Sequence, residues 1–308
     1  MSYFTVCTPT YNRAHLLKRP FDSLQRQTFK DFEWLIIDDG SIDNTKEVVD
    51  TFIIQADFKI IYVKTENRGK AAALNEAYKH INSDYVVNLD SDDEYTDDAL
   101  QKMYDIWENM PKEKKDRVWC VTGNCVDSKT REVIGGTWPE DINLYSGREQ
   151  RKQILKYKKG EKSCCRKTAV LKLNLFPQYP DTKFVSEAVI WEKINREYDQ
   201  YCTNDVFRIY YREEEDSLSV GKSYNVTRKI TYYYLSLFYV NQCFDEFFIN
   251  KNVAFSLLNL SRCALITKRK FKKVMSEIDN WYKRVLVLLG YPISWLFVKV
   301  YYAKRGRD

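Results

Sequence analysis

Tyr85-Val86-Val87-Asn88-Leu89-Asp90-Ser91-Asp92-Asp93-Glu94 is the stretch on which the reading of this chain turns. Its first half is β-branched, aromatic and apolar at strand length, the composition of a buried strand. It then ends abruptly in carboxylates, with only Ser91 among Asp90, Asp92 and Asp93. Three acids so close repel one another if all are ionised in a partly buried site. A positive partner is therefore expected, and a hard divalent cation, Mn²⁺ or Mg²⁺, suits oxygen ligands. Such an ion is commonly held by one or two carboxylates together with substrate phosphates, so the stretch points to a nucleotide diphosphate. A plainer reading stays open here. Asp and Ser cap helices, and an amphipathic pattern follows at Leu100, Met103, Tyr104 and Trp107.

Upstream, the same punctuation recurs. Phe4 to Thr8 is a first strand that Pro9 is expected to end, followed by the loop Thr10-Tyr11-Asn12-Arg13. A helix with Leu17, Phe21 and Leu24 comes next, and Pro20 inside it implies a kink or a start near Arg19. Trp34 to Ile37 is a second buried strand, closed by Asp38-Asp39-Gly40-Ser41, with a helix start at Asn44 and Glu47. Lys59 to Val63 is a third, leading into Glu66-Asn67-Arg68-Gly69-Lys70 and a helix with Ala71, Leu74, Tyr78 and Ile81 on one face. Val118 to Thr122 is a fifth. Strand and helix alternate as in a mainly parallel sheet with helices on both faces. In such sheets ligands bind beyond the carboxyl ends of the strands, where these polar loops fall, so one shared site is expected.

Downstream of Gly135-Gly136 the alternation breaks, and acceptor-side loops are expected over about 125–185. A helix is expected from about Val185 to Tyr198 and a strand from Val206 to Tyr211. Glu213 to Asp216 reads as a solvated loop closing a first domain, 1–215. A second region, 216–308, is helical and rich in Tyr, Phe and Leu.

Composition narrows the classes. The chain has 308 residues, 44% of them hydrophobic and 15% aromatic, which is enough for real cores and excludes disorder. Its net charge of +6 is modest, and no nucleic-acid partner is indicated. The 8 cysteines include no C-x-x-C pair, and Cys7 and Cys120 lie in apolar runs, as free buried thiols do. With no apolar leader ahead of Thr8, a reducing cytoplasm is expected. His15 and His80 lie far from the acids, which rules out a histidine-rich zinc site. Neither G-x-G-x-x-G nor G-x-x-x-x-G-K-[ST] occurs, against dinucleotide oxidoreductases and P-loop NTPases.

Each loop taken alone has an ordinary reading. Asp38 to Ser41 could be a turn or a phosphoacceptor pocket, and Asn67 to Lys70 a surface turn. Together, Val6-Cys7-Thr8-Pro9-Thr10-Tyr11-Asn12-Arg13, Ile37-Asp38-Asp39-Gly40-Ser41, Asn67-Arg68-Gly69-Lys70 and Leu89-Asp90-Ser91-Asp92-Asp93 resemble the family 2 glycosyltransferases of the GT-A fold, in the family's order and spacing. The resemblance is strong over residues 3–125, weaker to about 215 and indistinct beyond. It implies a Rossmann-like, mainly parallel mixed sheet and transfer from a nucleotide-diphosphate sugar, a UDP-sugar by preference, with inversion. The acceptor would be a glycan or lipid-linked hydroxyl in cell-surface polysaccharide synthesis.

The resemblance also implies roles. Pro9 and Tyr11 would shape the base pocket, Tyr11 by stacking, and Asp39 would hydrogen-bond the base. Lys70 would neutralise the diphosphate. Asp90 would face the ribose and sugar, and Asp92 would be the main ligand of Mn²⁺ or Mg²⁺. The family's catalytic base precedes a later helix, often as Glu-Asp ahead of a Trp. Aligning on Trp191 puts Glu187 there, with Ser186 in place of the usual first acid and Glu192 as the fallback. A sugar hydroxyl is a poor nucleophile until a base takes its proton, and a diphosphate leaves well once its charge is held. The alternative is a nucleotide-sugar-binding subunit or pseudoenzyme without turnover. A sugar-1-phosphate nucleotidyltransferase would need a Gly- and Arg-rich loop after the first strand, which Thr8-Pro9-Thr10-Tyr11 is not.

In the C-terminal region, Val285 to Val298 is apolar but carries Gly290 and Pro292, too short and broken for a membrane span. Lys268, Arg269, Lys270, Lys272 and Lys273 precede it, and Lys304, Arg305 and Arg307 follow. Basic clusters around such a stretch suit a helix lying at the inner face of an anionic membrane. Packing on the catalytic domain or on a second subunit is the competing expectation.

Overall fold

The computed structural model describes residues 1–139, 143–145, 160–212, 226–248 and 250–305. The chain divides into two compact units: Met1–Pro177 with Ile194–Val220, and Gln178–Lys193 with Gly221–Asp308. The sequence assigns the whole of 178–193 to the first domain, whereas that segment groups with the C-terminal helices. The acidic stretch 213–216, read as the domain border, lies outside the described residues, as do much of the expected acceptor-side loops and Arg307.

The first unit is a nine-stranded sheet. Strands β1 (Phe4–Thr10), β2 (Phe32–Asp38), β3 (Lys59–Lys64) and β4 (Tyr85–Asn88) run parallel in the order β3-β2-β1-β4. Helices α1 (Lys18–Gln25), α2 (Thr45–Gln55) and α3 (Lys70–His80) join them. The chain lays strands outward from β1 to β3, then crosses back to place β4 on the other side of β1. That reversal leaves a crevice beyond the carboxyl ends of β1 and β4.

The rest of the unit comprises β5 (Glu94–Tyr95), α4 (Ala99–Asn109), α5 (Lys112–Arg117), β6 (Val118–Asp127), β7 (Leu144–Tyr145), β8 (Lys162–Lys167), α6 (Thr168–Leu173), the end of α7 (Ala188–Glu197) and β9 (Asp199–Tyr210). They continue the sheet from β4 as β8-β6-β9-β5, with β7 also paired to β9. Strand β8 is antiparallel to both β4 and β6, so the sheet is mixed at its centre. Strand β9 is parallel to β6 and longer than the expected 206–211.

The core explains the order. Every residue of β2 is buried, and all of β1 but Pro9. Phe21 of α1 and Phe52 of α2 stack with ring centroids 4.2 Å apart, beside Trp34. The buried Trp34 indole donates to Thr8 Oγ1 at 2.8 Å, so its polar edge is satisfied. Helix α1 starts at Lys18 and holds Pro20 in its first turn, where a missing N–H costs no helical bond. Strand β1 does not end at Pro9 but continues to Thr10. The ladder to β4 stops at Cys7–Asn88, so on that side Pro9 faces no acceptor that needs it.

The second unit holds α8 (Val226–Gln242), α9 (Lys251–Ile266), α10 (Phe271–Glu277) and α11 (Trp281–Arg305) around Tyr233, Val240, Leu260, Val274 and Val287. The apolar segment read as too short and broken for a membrane span lies within α11, which runs through Gly290 and Pro292 as one helix. Gly290 is the point of closest packing, where a Cβ would stand 3.0 Å from Leu258 Cδ2 of α9. Among the described residues no helix is long and apolar enough to cross a membrane.

Candidate active site

Four loops meet beyond the ends of β1, β2, β3 and β4, and backbone and side-chain bonds stitch them together. Asn12, after β1, adopts the left-handed conformation at φ 52°. Its N–H donates to Ser41 Oγ, and its Oδ1 accepts from the Ile42 N–H, each at 2.8 Å. Asp38, fully buried at the end of β2, accepts from the Ser41 N–H at 2.7 Å and from the Tyr62 hydroxyl. Gly40 is at φ +83°, and a Cβ there would lie 2.8 Å from the Asn67 nitrogen. Only glycine lets the loop 67–70 come this close.

Asp39 fixes that loop. Its two carboxylate oxygens accept the backbone N–H groups of Arg68 and Gly69, each at 2.8 Å. Gly69, at φ 95°, then opens α3, whose first residue is Lys70. Lys70 is thus carried to the crevice, where Nζ meets Asp90 Oδ1 at 2.9 Å.

The acids after β4 are interleaved with cations. Asp90 lies between Lys70 and Arg208, whose Nη1 is 3.0 Å from its Oδ2. The same Arg208 approaches Asp93 Oδ2 at 3.4 Å, and Asp93 Oδ1 accepts from the Tyr211 N–H at 3.0 Å. Asp92 pairs with Arg13 at 2.9 Å, and its carbonyl accepts from Arg19. Arg19 in turn lies 3.8 Å over the Tyr211 ring. Burial would raise the Asp90 pKa, but Lys70 and Arg208 outweigh it and hold the carboxyl well below the usual carboxylate range. Asp93 goes the other way: burial pushes it up to about 7, Arg208 opposes, and Asp90 and Asp92 add to the rise. Cys7, beneath the crevice, is pushed up to about 12 by burial and is no nucleophile.

The predicted residues therefore separate in a definite way. Pro9, Tyr11, Asp39, Lys70, Asp90 and Asp92 all lie on the loops or strand ends that border one crevice, and Tyr11 is 45% exposed and open to stacking. Arg13, Arg19 and Arg208 are functional candidates that the sequence reading passed over. Arg208 left a signal, since a lone arginine within the apolar strand Val206-Phe207-Arg208-Ile209-Tyr210 needs a buried acid. The positive charge that three close acids demand is supplied in large part by these side chains.

Among the described residues no three His, Cys, Asp or Glu side chains form a metal cage by themselves. The donor set fits instead an ion held by one carboxylate and by phosphates. Asp92 supports this, for only its Oδ2 faces Arg13 and its side chain keeps 22% of its surface open.

Glu187 belongs to the second unit, in the turn that starts α7. Its carbonyl accepts from the Ile190 and Trp191 N–H groups, and its Oε2 accepts from the Trp191 indole at 3.2 Å. The segment before it is held by the C-terminal helices. Tyr179 stacks on Tyr234 with centroids 3.7 Å apart, and the Tyr234 hydroxyl donates to Asp181 at 2.8 Å. Arg269 pairs with Asp181 and lies 4.1 Å from the Tyr233 ring centroid, while Thr231 Oγ1 donates to the Phe184 carbonyl at 2.7 Å.

Comparison with known proteins matches residues 5–172 to the profile described as Glycosyl transferase family 2. A GalNAc(5)-diNAcBac-PP-undecaprenol beta-1,3-glucosyltransferase of Campylobacter jejuni is 30% identical over 235 residues, covering 74% of this chain and 71% of that protein. A poly-beta-1,6-N-acetyl-D-glucosamine synthase of Staphylococcus epidermidis is 36% identical over 135 residues, 44% of this chain and 31% of the synthase. In fold, the chain is similar to S. aureus TarS 1–349 in complex with UDP-GlcNAc, with a TM-score of 0.63 at 18% identity, covering 96% of this chain and 90% of that one.

Proposed function

Since the chain belongs to glycosyl transferase family 2 and has the GT-A fold, we propose that it moves a sugar from a UDP-sugar to an acceptor hydroxyl of a lipid-linked or polysaccharide glycan, with inversion at the anomeric carbon. One observation carries the reading: at the β1/β4 reversal, Lys70 and Asp92 flank a crevice bordered by the exposed Tyr11 and by Asp39. The names of the relatives support the acceptor class, one acting on a pyrophosphoryl-undecaprenol glycan and another making a polysaccharide. The TarS complex with UDP-GlcNAc supports the uridine donor. No observation favours the non-catalytic alternative.

Tyr11 stacks on the base, Pro9 shapes the wall behind it, and Asp39 accepts from the base. Lys70 exchanges its partner Asp90 for the diphosphate, placing a positive charge where the leaving group develops its negative one. Asp90, relieved of Lys70 but still held by Arg208, turns its oxygen toward the ribose and sugar. Asp92 would hold Mn²⁺ or Mg²⁺, which when bound supplies a further positive charge to the departing diphosphate. Glu187 takes the proton of the acceptor hydroxyl as its oxygen attacks from the face opposite the diphosphate, hence inversion. With a lipid-linked acceptor, the enzyme works at the cytoplasmic face of a membrane.

The test is a thermal-shift series of UDP- and GDP-sugars with and without Mn²⁺. Binding to the native state raises the melting temperature with occupancy. A UDP-sugar that stabilises the chain more with Mn²⁺ than without supports the reading. Stabilisation by neither nucleotide class, with or without metal, sinks it.

A further inference from the structure

Helix α11 turns the wrong face to its own unit. The residues it buries recur at helical spacing, Lys283, Val287, Gly290 and Ser294, and all but Val287 are small or polar. Their polar groups are satisfied locally. Lys283 Nζ donates to the Asn241 carbonyl at 2.8 Å and to Asp279 at 3.0 Å, and Ser294 Oγ donates to the Leu258 carbonyl at 3.0 Å. The large apolar side chains lie elsewhere on the helix. Leu286, Leu289, Ile293, Leu296, Phe297 and Val300 fall on one stripe and are all exposed, Leu289 at 67% and Ile293 at 62%. Between Arg284 and Lys299 the helix carries no charge at all.

The apolar surface extends beyond α11. Close packing at Gly290 brings Leu258 of α9 against the helix, and Leu258 is itself exposed, with exposed Phe255 three residues before it on the same face. Folded domains rarely leave contiguous apolar surface of this extent bare, so it marks a docking face.

Charge indicates what covers it. Phe271 packs edge-on to Tyr291 with ring centroids 5.1 Å apart, which sets the start of α10 beside α11. Lys268, Lys270, Lys272 and Lys273, on either side of Phe271, are exposed, and among the described residues none of the four makes an ion pair. Lys299 Nζ lies 4.0 Å from the ring centroid of the exposed Trp295. Helices α8, α9 and α11 contain no Asp or Glu. A second copy of the chain, joined through this same face, would bring one cationic rim against another. An anionic bilayer instead offers hydrocarbon to the stripe, phosphates to the lysines and an interface to the tryptophan. From Leu286 to Val300 the stripe runs only about 21 Å, so it suits a helix lying along the bilayer rather than through it.

We propose that α11 docks the chain on an anionic bilayer, lying in the plane of its surface with the 286–300 stripe in the hydrocarbon and the lysines of 268–273 on the lipid phosphates. The docking is independent of the donor chemistry.

Flotation of the full chain with phosphatidylcholine vesicles, plain or containing phosphatidylglycerol, tests it. L289S/I293S removes two side chains from the stripe, and L173S/L175S removes two exposed leucines from the first unit. Wild type should float with the anionic vesicles. L289S/I293S should partition at least about tenfold more weakly, and L173S/L175S should match wild type. K272Q/K273Q should lose about fivefold per charge, a loss that high salt removes. Flotation of L289S/I293S equal to wild type overturns the face, and equal losses in L289S/I293S and L173S/L175S overturn it as well. A wild type that ignores vesicles overturns the bilayer, and sedimentation as a dimer that L289S/I293S breaks would then assign the face to a second copy. Unchanged circular dichroism shows that the variants are folded, and if L289S/I293S unfolds, I293S alone carries the same comparison.

Discussion

Asp92 and Glu187 are assigned the two jobs that chemistry requires, and single substitutions separate them. Asp92→Asn should abolish transfer and remove any metal dependence of nucleotide binding, with the melting temperature nearly unchanged; full metal-dependent activity would refute the assignment. Glu187→Gln should still bind donor but lose turnover by about 10²–10⁴-fold. If Glu187→Gln is unimpaired and Glu192→Gln inactive, the base lies one turn along α7. Gly40→Ala should destabilise by about 1–3 kcal/mol and raise the donor KM, because its φ of +83° is strained for alanine and the added Cβ meets the Asn67 nitrogen. Denaturant unfolding and initial rates check it. The apolar pattern marked the strand ends, and the family resemblance then singled out Pro9, Tyr11, Asp39, Lys70, Asp90 and Asp92 near them. What it could not show is which groups answer each charge. Arg208 lies 118 residues from Asp90 in the chain, and only the sheet brings them together.

Elements were legible where one face is apolar and opaque where burial is two-sided but polar. The strands up to β4 announce themselves by β-branched runs, as does β6. Strand β8, Lys-Ser-Cys-Cys-Arg-Lys, gives no such run, yet it stands between β4 and β6. Its place is set by pairing on both edges and by contacts such as the Trp107 indole with Cys165, not by alternation. Helix α11 carries Gly290 and Pro292 within one continuous helix, and the apolar stretch there was legible as helical without being a membrane span. The segment 178–187 is an element of another sort, held by side chains rather than by a ladder. Removing Arg269 leaves the Tyr179–Tyr234 stack but takes away the guanidinium paired with Asp181. Arg269→Gln should therefore lower kcat with little change in donor KM, because the turn carrying Glu187 loses its tether. Arg269→Lys, lacking the planar fork over Tyr233, should restore it only in part. An unchanged kcat would show that the tether does not position the base.

On the scale of the molecule, the sheet and its charge network belong to the first unit and the proposed base to the second. Arg208→Met tests how far the network underlies the first unit. With Asp90 and Asp93 left beside no guanidinium, unfolding should become easier by about 3 kcal/mol, more than for an exposed ion pair. A loss below 1 kcal/mol in urea unfolding would mean that Lys70 and Tyr211 suffice. The position of Arg208 also bears on how the protein is made. It rides on β9, which follows β4 in the chain by more than a hundred residues and completes the edge of β6. A ribosome releases Arg13 and Lys70 before the acids they pair with, Asp92 and Asp90, whereas Asp93 waits for Arg208. Until then the growing polypeptide holds Asp93 without its cation and an unpaired edge on β6, which is open to wrong partners. Synthesis thus completes the charge network at the crevice only when the last strand of the sheet has emerged, and a chain cut short before Asp199 lacks the cation that joins Asp90 to Asp93.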